Sequence, residues 1–291
     1  MARFAHTVTV GALDRGWFEE AAGALVDLLD ASREGPGGSV VLADGRAVEG
    51  LRLLKGRHLR SGARYGEVTA APEGTGKAGR AAETADGPAA LAYGAGDSST
   101  TPSSVVLRAW RPSHSVEVES LVVEDGMSLK LGLRLTEPRR PRSVEISLSG
   151  HQPGGGSLYR FSGRGKADLA AWWAAVDRLP GAPPAVRPPV SGRAVHRLAK
   201  ARLALTPRPA EDGSWRITVA LSVRGRWLLR PVGAVVLLFA RGPVERGLRE
   251  AAESAAREWN TALAELAPLH GEALRAEIAD ALVNPDGPEA L

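Results

Sequence analysis

The chain has 291 residues, of which 44% are hydrophobic and 24% charged, and it contains no cysteine. That is ordinary globular composition, long enough for one large domain or two modest ones, and it excludes disulfides, thiolate metal sites and cysteine nucleophiles. The formal net charge is only +4. Arginine supplies most of the positive charge and acidic residues are interspersed with it, so nucleic acid is not an expected partner.

The chain opens MARFAHTVTVGALDRGWFEE, without the basic region, apolar run and small-residue site of a signal peptide. Its most apolar stretch, Val232–Ala240, is far shorter than the roughly 20 residues that span a bilayer. The expectation is a cytoplasmic protein without a transmembrane segment.

In chain order, Phe4, His6, Val8 and Val10 alternate with small or polar residues, the period of a half-buried strand. Asp14 is placed to cap a helix that carries Trp17, Ala21, Ala24, Leu25 and Leu28 on one side. Gly35–Gly38 ends it, and Asp44-Gly45 between Val40–Leu42 and Arg46–Val48 is a hairpin signal. Leu51–Leu54 either extends the second strand or starts a short helix. From Ala71 to Ser104 the chain is built of Ala, Gly, Ser, Thr, Pro and Glu. Such a stretch buries too little surface to offset its ordering entropy, and it is expected to be a flexible insertion.

The best-patterned region follows. Val105–Trp110 and Val116–Glu124 read as strands, with a phase change near Ser120 suggesting a bulge. Leu129, Leu131, Leu133 and Leu135 alternate with polar or small residues, as do Val144, Ile146 and Leu148. This predicts an antiparallel meander with one wet face. Leu158–Ser162 is a further candidate strand. Asp168–Leu179 is helical, with Trp172 and Trp173 pointing about 100° apart: one suits the core, the other a loop or a partner. After the proline-rich connector Pro180–Pro189, strands over Val195–Leu205 and Trp215–Val223 pair through Asp212-Gly213. Gly242-Pro243 starts a long helix with an apolar stripe from Val244 through Leu248, Ala252, Ala255 and Trp259 to Leu266. Pro268 ends it, and Ala273–Val283 is a short last helix.

These elements predict an α+β fold, a curved antiparallel sheet gripping a long C-terminal helix. The chain divides into residues 1–70, the insertion 71–104, the sheet and long helix 105–268, and the tail 269–291. Small residues on the helix permit either close packing or a gap that holds a ligand.

The run Ser214–Leu266, SWRITVALSVRGRWLLRPVGAVVLLFARGPVERGLREAAESAAREWNTALAEL, resembles the end of START-like helix-grip proteins, the SRPBCC group. There a last long strand leads through an apolar segment into a helix held by a curved sheet. The opening strand and helix, His6 to Leu29, match the family's first strand and helix. The insertion, the Trp172-Trp173 helix and the length depart from the family pattern. The resemblance implies an internal cavity for a lipid, polyketide or other apolar molecule, and members that act as carriers, cyclases or dehydratases. The family has no universal catalytic residue to carry over.

On this reading Leu131, Leu133, Ile146, Ile217, Val219 and Leu221 of the sheet and Leu248, Ala252, Ala255 and Trp259 of the helix enclose the ligand. Tyr159, His196 and Arg202 are the polar candidates beside it, and no cofactor or metal is expected. The competing reading is a non-enzymatic scaffold acting through a homo-oligomer or a protein partner.

Other constellations carry less. Gly74-Thr75-Gly76-Lys77 lacks the hydroxyl residue and glycine spacing of a phosphate loop, and Gly154–Gly156 does not fit a dinucleotide fingerprint. No G-x-S-x-G or H-E-x-x-H occurs, and the six histidines, His6, His58, His114, His151, His196 and His270, are far apart. Glu117 and Glu119 near His114 share one strand face, better read as solvated than as an acid–base pair.

Overall fold

The computed structural model describes residues 2–66, 101–124, 126–152, 154–179, 187–225 and 241–284. Its elements are β1 (Ala2–Val10), α1 (Arg15–Asp30), β2 (Arg33–Glu34), β3 (Ser39–Val41), β4 (Ala47–Lys55), β5 (Arg64–Gly66), β6 (Thr101–Arg111), β7 (Ser115–Glu124), β8 (Met127–Thr136), β9 (Ser143–His151), β10 (Arg160–Asp168), α2 (Leu169–Val176), β11 (Val190–His196), β12 (Ala199–Pro209), β13 (Trp215–Gly225), α3 (Arg241–Leu266) and α4 (Gly271–Val283). The thirteen strands form one open antiparallel sheet. From β2 to β13 each strand lies beside its sequence neighbours; β1 then closes the order by pairing with β13, from Ala2↔Val223 to Val10↔Trp215.

Local chemistry sets the joints. Asp14 caps α1 by accepting from the Trp17 N–H at 2.8 Å, and Asp168 caps α2 by accepting from the Ala171 N–H at 2.9 Å; each satisfies a donor that the first helical turn leaves unpaired. At the β12–β13 hairpin, Gly213 takes φ +80° and Asp212 accepts from both the backbone and the hydroxyl of Ser214. Pro207 and Pro209 lie beyond Leu205, the last β12 residue paired with β11, so their missing N–H groups break no ladder to that strand.

Several boundaries differ from expectation. The expected insertion, 71–104, lies outside the described residues except for its end, where β6 already begins at Thr101. No bulge falls at Ser120: β7 keeps an unbroken register with β8, and the register shifts lie opposite, between Thr101 and Ser104 and between Leu107 and Ala109 of β6. The phase change at Ser120 is an exposed Leu121 on the face of Glu117 and Glu119. The strand expected over Val195–Leu205 is two strands, β11 and β12, joined at Arg197-Leu198. Gly192 and Ala194 weaken the apolar alternation of β11, which hid it. Two short strands, β2 and β5, gave no pattern at all.

The core is three separate clusters. One joins Val10, Trp173, Val176 and Trp215; another joins Val40, Ala63, Tyr65 and Leu107; the third sets Leu28 and Leu42 against Ala279 of α4. Helix α3 packs on β1. The Gly11 N–H donates to Asn260 Oδ1 at 2.7 Å, and the Gly11 carbonyl accepts from Trp259 Nε1 at 3.0 Å. A Cβ on Gly11 would stand 2.6 Å from Leu263 Cδ2, so a larger residue there would require the Leu263 side chain to shift.

Trp215 is the centre of the first cluster, with ring centroids 5.9 Å from Trp172 and 5.8 Å from Trp173 in edge-on geometry. Trp215→Ala is expected to cost about 3–5 kcal/mol, read as a lowered urea midpoint with an unchanged slope.

Candidate functional site

Strand register sorts the side chains of the sheet into two faces. One face is apolar: the row Leu133, Ile146, Gly165, Gly192, Leu203, Leu221 and Phe4 runs from β8 to β1, and the row Leu135, Val144, Ala167, Val190, Leu205 and Val219 lies beside it. The other face carries Glu117, Arg134, Glu145, Lys166 and the strand arginines.

At the β11–β1 end of the apolar face, the helices leave a cleft of about 400 Å³. Its floor is Val8, Val10, Val190, Leu205, Trp215, Ile217 and Val219; its walls are Leu13, Phe18, Leu169, Trp172 and Trp173; Ala252, Ala255, Ala256 and Trp259 of α3 complete it. No ionisable or hydroxyl side chain is among these residues. The indole N–H of Trp259 is engaged by Gly11. A pair that also bridges β1 and α3, His6 Nε2 and Glu253 Oε1 at 3.3 Å, is outside the lining. The cleft offers burial and aromatic faces, at roughly 25 cal/mol per Å² of apolar surface covered, and no group for proton transfer.

Of the sequence-predicted lining, Ile217, Val219, Ala252, Ala255 and Trp259 meet in this cleft. Leu131, Leu133 and Ile146 share the apolar face but lie on β8 and β9, away from α3, where they are 41%, 41% and 45% exposed. Leu221 and Leu248 are outside the lining. The polar candidates are scattered. Tyr159 is exposed at the end of a short 3-10 turn. The His196 ring meets the Leu158 carbonyl at 2.7 Å. Arg202 alternates with Leu203 and Leu205 and so lies on the opposite face.

Sequence reasoning missed Trp172, Trp173 and Trp215 as lining. Their common neighbour explains the pair: Trp215 stands where two side chains 100° apart on α2 both reach it. Phe18 completes the stack, 5.8 Å from Trp173. The signal available was Trp215 at the head of the cleanest alternating strand.

One hydrogen-bonded triad has the outline of a nucleophile and base. Ser32 Oγ lies 3.0 Å from His58 Nε2, and His58 Nδ1 lies 3.2 Å from the Tyr65 hydroxyl. The proton positions argue against activation. Ser32 donates its own proton to the Leu29 carbonyl at 2.6 Å, so it accepts from His58 Nε2–H, and His58 has no free base nitrogen facing Ser32. Tyr65 in turn accepts from the Leu59 N–H at 2.9 Å and donates to Nδ1. The triad holds together the α1–β2 turn, the loop before β5 and β5 itself. Nor does Glu119 work as an acid. Hydrogen bonds from Arg108 and then Lys130 hold its carboxyl below the ordinary range, keeping it ionised. Glu117 pairs with Arg134 at 3.3 Å. Among the described residues no group of three or more His, Asp or Glu could hold a metal. Gly74–Lys77 lies outside the described residues, and Gly154 and Gly156 make a left-handed turn before β10.

No protein-family model, curated protein or solved structure matches the chain.

Burial depresses the pKa of His58 below 6.5, outweighing the attraction of Glu34. The folded state therefore prefers neutral His58, and this contribution to stability is present above the ordinary histidine range and lost as pH falls through the depressed value. The His58 ring should titrate below pH 6.5 by NMR, and the urea midpoint should decline on the acid side of that range less steeply in His58→Gln than in the wild type.

Proposed function

We propose that the protein binds a hydrophobic small molecule, lipid- or polyketide-like, in the cleft between α3 and strands β1, β12 and β13. One observation carries this reading: an apolar space of about 400 Å³ walled by tryptophans and by the small residues Ala252, Ala255 and Ala256. Its size falls within the usual range for ligand pockets and its lining is of the usual kind. The absence of ionisable side chains from the lining favours holding a ligand over turning it over, so a carrier is preferred here to a cyclase or dehydratase. The START-like helix-grip relationship belongs to the same proposal. It is supported by the first strand lying beside the last and by a long helix near the C-terminus packing against that first strand. A cytoplasmic location accords with the lack of cysteine. Among the described residues no helix is long and apolar enough to cross a membrane.

Solvent extraction of the purified chain followed by mass spectrometry should release an apolar compound, and a fluorescent apolar probe such as N-phenyl-naphthylamine should compete for the same space. Ala255→Trp fills the cleft from an exposed helix position, and it should weaken the probe at least about tenfold without lowering the urea midpoint. Equal probe binding by wild type and variant would end the proposal.

A second reading, a scaffold acting through a homo-oligomer, has its own observation: the exposed apolar residues Leu131, Leu133 and Ile146 lie side by side on one sheet face. It requires a dimer in light scattering that Leu133→Glu converts to a monomer. A wild type already monomeric at high concentration removes it.

A further inference from the structure

The face of the sheet away from the cleft carries a feature that an apolar-ligand carrier does not need. Arg164 of β10 stands directly opposite Arg193 of β11, and Arg193 directly opposite Arg202 of β12. Three guanidinium groups thus rise abreast from neighbouring strands within about 10 Å, at a strand spacing of roughly 4.8 Å. Like charges directly opposite one another destabilise a sheet, and here no carboxylate offsets them. On the β6–β9 side of this face the cations have partners: Arg108 and Lys130 meet Glu119, and Arg134 meets Glu117, while Lys166 of β10 meets Glu145. Among the described residues Arg164, Arg193 and Arg202 have none.

The surroundings reinforce the charge. Strands β1, β11, β12 and β13 contain no Asp or Glu at all, while Arg3, Arg208, Arg216 and Arg224 share the face of the arginine row. Arginines that are dispersed in the sequence are gathered by strand pairing. The row lines one end of a groove of about 590 Å³ whose lining holds six Arg or Lys side chains against three Glu. All three arginines are exposed, so a ligand reaches them without displacing protein.

We propose that this groove binds a compact chain of phosphates, such as a triphosphate, on Arg164, Arg193 and Arg202. The planar fork of arginine matches phosphate oxygens two at a time. An excess of three positive charges in a space of this size suits a short, highly charged ligand. A single-stranded nucleic acid is disfavoured because β1 and β10–β13 present Ser, Thr, Ala, Val and Arg on this face and no aromatic side chain on which bases would stack. The site is independent of the apolar cleft, which lies on the other face.

The test is calorimetric titration of the full chain at low ionic strength with inorganic tripolyphosphate, with ATP and with a single-stranded oligonucleotide. Tripolyphosphate should bind, and Arg193→Gln and Arg202→Gln should each weaken it at least about tenfold, the loss typical of a charge-assisted contact. Arg208→Gln, on the same strand but outside the groove lining, should leave it nearly unchanged. ATP equal to tripolyphosphate identifies the phosphate chain as the whole of what is recognised; tighter ATP identifies a nucleotide. Either outcome supports the site. Without ligand, Arg193→Gln should be at least as resistant to urea as the wild type, because it relieves crowding on both sides. No tripolyphosphate binding overturns the proposal. So does an equal loss in Arg208→Gln, which would mean a diffuse field, or oligonucleotide binding far tighter than tripolyphosphate with a steep salt dependence.

Discussion

The pairing of β1 with β13 joins strands roughly 200 residues apart in sequence, and the floor of the cleft rests on it. Nine residues of β1 run antiparallel to β13 from Ala2↔Val223 to Val10↔Trp215. That register sets Val8 beside Ile217 and Val10 beside Trp215, the floor on which the tryptophans of α2 pack. It also brings Gly11 to the point where α3 crosses. There two reciprocal hydrogen bonds, to Asn260 and from Trp259, fix the helix, with Gly11 against the Leu263 side chain. Alter the register by one residue and the apolar row of β1 turns to the wet face, so the floor of the cleft and the seat of α3 are lost together.

The same two-residue period gives the sheet two unlike faces. Side chains of one parity meet helices, pack into tryptophans or stand uncovered as leucine and isoleucine. Those of the other parity carry charge. On β7–β9 that charge is neutralised across the strands, where Glu119 bridges Arg108 and Lys130. Arg164, Arg193 and Arg202 on β10–β12 have no such carboxylate among the described residues. Leu203 and Arg202 are neighbours in sequence and belong to different faces, which is why Arg202, expected as a polar group beside the cavity, sits across the sheet from the cleft.

What the sequence made legible follows from how strong each local pattern is. The alternations of β1, β8, β9 and β13, the cap at Asp14 and the long stripe of α3 are strong periodic or chemical signals, and they appear close to where they were expected. Ile217 and Val219 of β13 and Ala252, Ala255 and Trp259 of α3, all named from the sequence, meet in one cleft. Strand order was another matter. Periodicity tells which side of a strand is apolar and says nothing about its neighbours, so Leu131, Leu133 and Ile146 were grouped with residues several strands away. Strand β11 was hidden because Gly192 and Ala194 are too small to print an alternation. The arginine row was invisible for a related reason: Arg164, Arg193 and Arg202 become neighbours only through register.

Among the described strands β1 stands at an edge with β13 as its neighbour, and its fate during synthesis differs from that of the meander. Its partner follows roughly 200 residues later, about 10–40 s at common elongation rates. Through that interval the meander β2–β12 can zip strand by strand, each beside the one just made, while a nine-residue ribbon with an apolar side waits without its ladder. Such a ribbon is a template for strands of other chains. The growing polypeptide therefore carries a risk of misassembly at β1 until β13 emerges.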